Sequence, residues 1–71
     1  MAPEEVWARV RLWIEGQGGG GEYAPRLYSV ESESKTSWIV CVEYVDRSTG
    51  IALDGPAVFR YDEVRNGVEV A

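Results

Sequence analysis

Ten residues constrain this chain more than any others: Ser37 to Asp46, SWIVCVEYVD. Read as an extended segment, whose side chains alternate between two faces, it places Trp38, Val40, Val42 and Tyr44 on one side and Ile39, Cys41 and Val45 on the other. Both faces are apolar, broken only by Glu43. A strand of this kind needs cover on both sides, yet the rest of the chain offers one helix of about 13 residues, enough to blanket one face of a sheet. The second face is therefore expected to meet a partner chain, a bound ligand or a larger loop. A chain of 71 residues points the same way. It buries only about 60% of the surface its unfolded form exposes, and association with further chains is a common remedy. Self-association into a homo-oligomer is the expectation.

The helix is read over residues 3 to 15, with Pro3 in its first turn, Glu4 and Glu5 at its positive end and Gly16 just past its last residue. Val6, Trp7, Val10, Trp13 and Ile14 fall within one arc of about 120°, so this helix lies on something apolar. Leu12 and Ala8 sit on the far side, where Leu12 marks a candidate second contact. The glycines that follow, from Gly16 to Gly21, formally satisfy G-x-G-x-x-G. They come after a helix and lead into an extended segment, the reverse of the strand-to-helix setting that cradles a phosphate, and are read as a connector with no phosphate role. From Leu27 the pattern has period two, with Tyr28 and Val30 alternating against Ser29 and Glu31, and a turn is expected near Ser34-Lys35-Thr36. After the long strand, Asp46-Arg47-Ser48-Thr49-Gly50 and Asp54-Gly55 supply turns. A third strand over 57 to 64 sets Ala57, Phe59 and Tyr61 against Val58, Arg60 and Asp62. Asn66-Gly67 then signals a two-residue type I′ hairpin into a short strand with Val68 and Val70. The expected fold is α+β: one domain over residues 1 to 71, an N-terminal helix packed on a three- or four-stranded antiparallel sheet.

Charge and residue types narrow the chemistry. Twelve acids against seven bases give a net charge of -5, the opposite of the basic stripe that neutralises phosphates, so nucleic acid is not an expected ligand. The acidic excess is concentrated between residues 27 and 46, where four acids face one lysine, and a protein partner with a basic surface would suit that region. There is no histidine, which removes Ser-His-Asp and Cys-His catalysis and histidine-ligated zinc. Cys41 is the single cysteine: no intramolecular disulfide or one-chain thiolate metal site is possible, and a reducing cytoplasm fits best. No signal peptide and no run approaching the ~20 apolar residues of a membrane span is read. No cofactor, no metal and no membrane association are expected.

Carboxylates and tyrosines are then the remaining candidates for catalysis. Glu43 interrupts an apolar face and is a candidate desolvated acid or base, against the plainer reading in which it reaches solvent or pairs with an arginine. Asp62 and Glu63, adjacent on a strand, would point to opposite faces and cannot act as a pair. Cys41, among valines, reads as an inert packed thiol. Of the three tryptophans, Trp7 and Trp13 belong to the helix stripe, while Trp38 is the candidate interface anchor because tryptophan is prominent among binding hot spots. No enzymatic constellation emerges, and a non-enzymatic module is expected, with Glu31, Glu33, Trp38, Glu43 and Tyr44 as candidate protein-interface residues.

The run Trp38-Ile39-Val40-Cys41-Val42-Glu43-Tyr44, then Leu53-Asp54-Gly55-Pro56-Ala57-Val58-Phe59, then Asn66-Gly67-Val68-Glu69-Val70 resembles the YrhB-like immunity-protein family. The resemblance covers about residues 38 to 70: a tryptophan-led strand, a Gly/Pro turn into a second strand and a terminal hairpin behind an N-terminal helix. It implies protection of bacteria by sequestering a toxin of a polymorphic secretion system. The order helix then meander is also similar to a cut-down cystatin-like or NTF2-like fold, which implies instead a homo-oligomer with a small-molecule pocket between helix and sheet. The binding module is the first reading and the pocketed oligomer its alternative.

Overall fold

The computed structural model describes residues 1–17, 21–53 and 55–71; Gly18, Gly19 and Gly20 of the glycine run and Asp54 of the expected second turn lie outside the described residues. Helix α1 runs over Pro3–Gly16, and strands β1 (Tyr23–Ser32), β2 (Ser37–Asp46), β3 (Ala57–Asp62) and β4 (Gly67–Val70) form one antiparallel sheet in chain order. This is the expected α+β arrangement with four strands. Pro3, which has no N–H to leave unpaired, opens the helix, and the Glu5 and Val6 amides donate back to the Ala2 carbonyl at 3.0 and 3.2 Å.

The helix covers the Trp38, Val40, Val42, Tyr44 side of β2. Val6, Val10 and Ile14 form a core with Val40, Val42, Phe59 and Tyr61; Val6, Val10, Val40 and Val42 have no exposure at all. Trp7, Trp13, Trp38, Tyr44, Val30 and Val68 pack around it. Arg9 Nη1 donates to Asn66 Oδ1 at 2.9 Å, beyond the end of β3, and Trp13 meets Phe59 edge-on, ring centres 5.8 Å apart, mid-strand. The helix therefore runs antiparallel to β3, its C-terminus toward the Val42 and Ala57 end.

Four local readings are corrected. β1 begins at Tyr23, four residues before the expected start. Within it the register slips between Leu27, opposite Val42, and Ser29, opposite Cys41; Tyr28 is the extra residue of a bulge and is 65% exposed, not on the Val30 face. β3 ends at Asp62. The loop after it, residues 63–66, is four residues long, because Asp62 pairs with Gly67. Asn66 alone takes a left-handed conformation there (φ 49°), so the type I′ expectation, which needs both central residues at positive φ, does not hold. The expected 46–50 turn is present: Asp46 Oδ1 accepts from the Ser48 amide (2.8 Å), Ser48 Oγ (2.7 Å) and the Thr49 amide (3.2 Å), and Gly50 supplies the positive φ of 75° that closes it.

Candidate functional site

Once α1 is seated, two surfaces remain. The first is the opposite side of the sheet. On β2 it carries Ile39, Cys41, Glu43 and Val45, and the register sets Glu31 and Arg60 beside Ile39, Ser29 and Val58 beside Cys41, and Arg26 beside Glu43. Ile39, Cys41, Val45 and Val58 are half-buried, although among the described residues no helix or second sheet packs over them. Long charged side chains bracket the strip instead. Arg26 Nη2 donates to Glu43 Oε2 at 2.6 Å at one end. At the other, Arg60 grips Glu33 as a fork, Nε to Oε1 and Nη2 to Oε2, both at 3.0 Å, while its Nη1 reaches Glu69 at 3.3 Å. Arg60 and Ser37 Oγ both donate to Glu33 and hold its carboxyl below the usual carboxylate range; the Glu33 and Glu69 carboxylates push the guanidinium of Arg60 up in turn.

This geometry changes the meaning of the acidic middle third. Glu43 and Glu33 are matched by arginines from β1 and β3, and Asp46 is spent on its own turn; Glu31 is exposed and makes no ion pair among the described residues. The five candidate interface residues also divide. Glu31, Glu33 and Glu43 lie with the uncovered strip, whereas Trp38 and Tyr44 are on the helix side, packed against the core. Trp38 is half-buried there and its indole Nε1 is buried without a partner. Glu43 follows its plainer reading, paired with Arg26. Cys41 is half-buried within the strip. Asp62 ends β3 and caps the following loop, its Oδ1 accepting from the Arg65 and Val64 amides, which hold its carboxyl below the ordinary aspartate range; Glu63 lies in that loop and not on a strand.

The second surface was not anticipated. The helix spans only part of the helix side of the β1–β2 hairpin, and β3 reaches only to Ala57, opposite Val42. Beyond this point Leu27, Pro25 and Tyr23 stand opposite Val42, Tyr44 and Asp46. Residues 51–53 complete the arm as an irregular third strand: Ala52 bridges Val45, Asp46 donates to the Ile51 carbonyl at 2.9 Å and Leu53 to the Tyr44 carbonyl at 2.8 Å. With Ala52 beside Val45, alternation puts Ile51 and Leu53 on the Tyr44 side. The result is an apolar ledge past the helix C-terminus, with Tyr23, Leu27, Ile51 and Leu53 exposed at 39%, 38%, 68% and 48%. A signal for it exists in the sequence. Apolar residues occupy odd positions at 23, 25 and 27 and an even one at 30, a change of parity that marks a strand with a bulge.

The helix sits directly on the sheet, and a depression lined by Arg9, Leu12, Trp13, Tyr61, Asn66 and Val68 flanks the helix and is open to solvent. Among the described residues no group of three or more Cys, Asp and Glu side chains is placed to hold a metal ion, and no helix is long and apolar enough to cross a membrane. No family model, curated protein or solved structure matches this chain.

Proposed function

We propose that the protein is a small non-enzymatic binding module whose uncovered sheet face receives a partner protein, as the immunity-like resemblance implies. One observation carries this reading: the half-buried strip Ile39, Cys41, Val45 and Val58 is bracketed by charged side chains committed to one another. An apolar centre with a polar, ion-paired rim has the anatomy of a protein interface. Glu31, exposed at the rim and unmatched by an arginine among the described residues, is the carboxylate best placed to meet a basic residue of that partner. The carboxylates of Glu33, Glu43, Asp46 and Asp62 are engaged in pairs and turns, which supports binding over proton-transfer chemistry.

Site-specific photocrosslinking tests it. A benzoylphenylalanine at Glu31, on the uncovered face, is expected to yield one discrete adduct in the native cells, while the same group at Ala8, on the outer helix surface, yields none. Glu31→Lys should weaken capture of the identified partner several-fold, mainly through slower association. Adducts that are equally frequent from both positions, or capture indifferent to Glu31→Lys and to Cys41→Asp alike, would remove the uncovered face from this role.

A further inference from the structure

We infer that β4 is the pairing edge of a symmetric dimer, in which β4 of a second copy adds antiparallel to it, Val68 opposite Val68, and joins two four-stranded sheets into one of eight. The inference concerns an edge of the sheet and does not rest on the function proposed for its uncovered face.

The backbone decides which edge is open. The Ala71 amide donates to the Val58 carbonyl at 2.9 Å, so these two are a hydrogen-bonded pair of the ladder. Alternation then makes Arg60 and Glu69 the next such pair and turns the amides and carbonyls of Val68 and Val70 outward, away from β3. Among the described residues these groups have no partner, and β4 has a neighbour on one side only. The opposite edge is guarded. There the Arg47 amide donates to the Glu22 carbonyl at 2.8 Å, and the same alternation turns Pro25 of β1 outward, where an incoming strand finds no N–H; three residues later the Tyr28 bulge breaks the ladder. β4, Gly-Val-Glu-Val, carries no proline, no lysine and no register shift.

Side chains select the occupant and the register. Pairing Glu69 with Glu69 of the other copy would set like charges directly opposite. Centring the two-fold axis on Val68 instead lets the two Val68 residues exchange both backbone hydrogen bonds and places Glu69 of each copy opposite Gly67 of the other. Gly67 marks a hollow: a Cβ there would meet nothing nearer than the Arg65 Cβ at 4.0 Å, and Arg60, Asp62, Arg65 and Glu69 stand around it. Arg60 is committed to Glu33 and Glu69, and Arg65 gives its Nε to Asp62 at 3.2 Å. What is left over is the outer end of Arg65, a side chain 73% exposed whose Nη1 and Nη2 meet no acceptor among the described residues, and the Oε2 of Glu69, since Arg60 takes only Oε1. In this register the unused carboxylate oxygen of one copy enters the hollow beside the unused guanidinium nitrogens of the other, and does so twice. On the helix side Val70, 72% exposed, comes opposite Asn66 of the other copy and covers the open depression that Trp13 and Val68 line beside the helix. The contact is isologous and closes at two chains.

Sedimentation equilibrium on the intact chain from micromolar to millimolar concentration tests the proposal. A concentration-dependent shift from 7.9 kDa toward twice that mass is expected. Arg65→Glu and, separately, Val70→Lys should each raise the dissociation constant at least tenfold, because every change is felt twice across the two-fold axis. Far-UV circular dichroism checks that the fold is retained, and the exposed Val70 keeps the test valid even if Arg65→Glu disturbs the loop that Asp62 caps. Ile51→Asp, equally exposed but on the arm, should leave the constant unchanged. Disulfide trapping in a Cys41→Ser background reads the register. A mixture of the Gly67→Cys and Glu69→Cys proteins should give the mixed disulfide at least tenfold faster than either protein crosslinks alone, since residues opposite one another outside the hydrogen-bonded pairs bring their Cα atoms to about 4.5 Å. A monomer at every concentration overturns the inference. So does a dimer that survives both Arg65→Glu and Val70→Lys, or one that Ile51→Asp dissociates, which would place the contact on the arm. Glu69→Cys crosslinking alone as fast as the mixture would overturn the register centred on Val68.

Discussion

Asn66 does two jobs with one side chain and one backbone angle. Its left-handed φ closes the β3–β4 loop, and its Oδ1 accepts from Arg9 on the helix and from the hydroxyl of Tyr61, whose ring is 1% exposed. Two substitutions separate the roles. Asn66→Gly keeps the backbone conformation and strands the Tyr61 hydroxyl, at a cost of about 1–2 kcal/mol. Asn66→Ala loses the acceptor as well and forces a Cβ residue into the left-handed region, so it should cost about 1 kcal/mol more. Urea unfolding of the two variants checks the order, and equal stabilities would show that the loop relaxes out of that conformation. Trp38 presents a different balance. Its indole N–H is buried without a partner, so Trp38→Phe removes an unsatisfied donor while keeping most of the ring and should change stability by less than about 1 kcal/mol. Trp38→Ala should cost about 3–5 kcal/mol, the signature of packing against the core and not of a free anchor. The sequence reading could place Trp38 on the strand; it could not say which face the helix would take, because both faces of β2 are apolar.

At the scale of elements, β1 shows what alternation can and cannot reveal. The strand's apolar residues were legible from Leu27 onward, but Tyr28 was set beside Val30 because a strict period of two has no place for an extra residue. The bulge absorbs that residue and restores both flanks to their faces, with Leu27 and Val30 on the helix side. Deleting Tyr28 should therefore join Leu27 and Ser29 in an ordinary ladder and leave the melting temperature within a few degrees of the parent. Deleting Cys41 from β2 has no bulge to absorb it: one flank must cross to the other face, taking either Trp38 and Val40 or Val42 and Tyr44 out of the core, and the chain should fail to fold cooperatively. Thermal unfolding of both deletions decides the matter; similar losses would mean that the bulge carries structure of its own. The helix and β3 were easier to read because their patterns are one-sided. Val6, Val10 and Ile14 are buried as the helical arc requires, and Phe59 and Tyr61 as the alternation of β3 requires. The ledge escaped notice for the opposite reason: it is assembled from β1, β2 and the irregular segment 51–53, and no single element announces it.

Across the whole molecule, three carboxylates tie separate parts of the chain to pH. Glu33 is held below the usual carboxylate range by Arg60 and Ser37, Asp46 by the Ser48 hydroxyl and the Ser48 and Thr49 amides, and Asp62 chiefly by the Arg65 and Val64 amides. In each case the folded state binds its proton less readily than the unfolded chain does. As pH falls below about 4.3 for glutamate and 3.9 for aspartate, the unfolded chain takes up protons first, and the stability these contacts contribute is progressively lost as the folded carboxyls in turn are protonated. Above that window it is present in full. The melting temperature should accordingly be nearly level from pH 8 to pH 5 and decline steeply below about pH 4, where loss of carboxylate charge also leaves the arginines to repel one another. Asp46→Asn isolates one contribution: the amide oxygen can still accept from the turn, but its group no longer titrates. The variant should be less stable than the parent at pH 7 and should converge with it at pH 3. A gap between the two that is the same at both pH values would show that the Asp46 carboxylate stabilises its turn through shape alone, with no part in the acid transition.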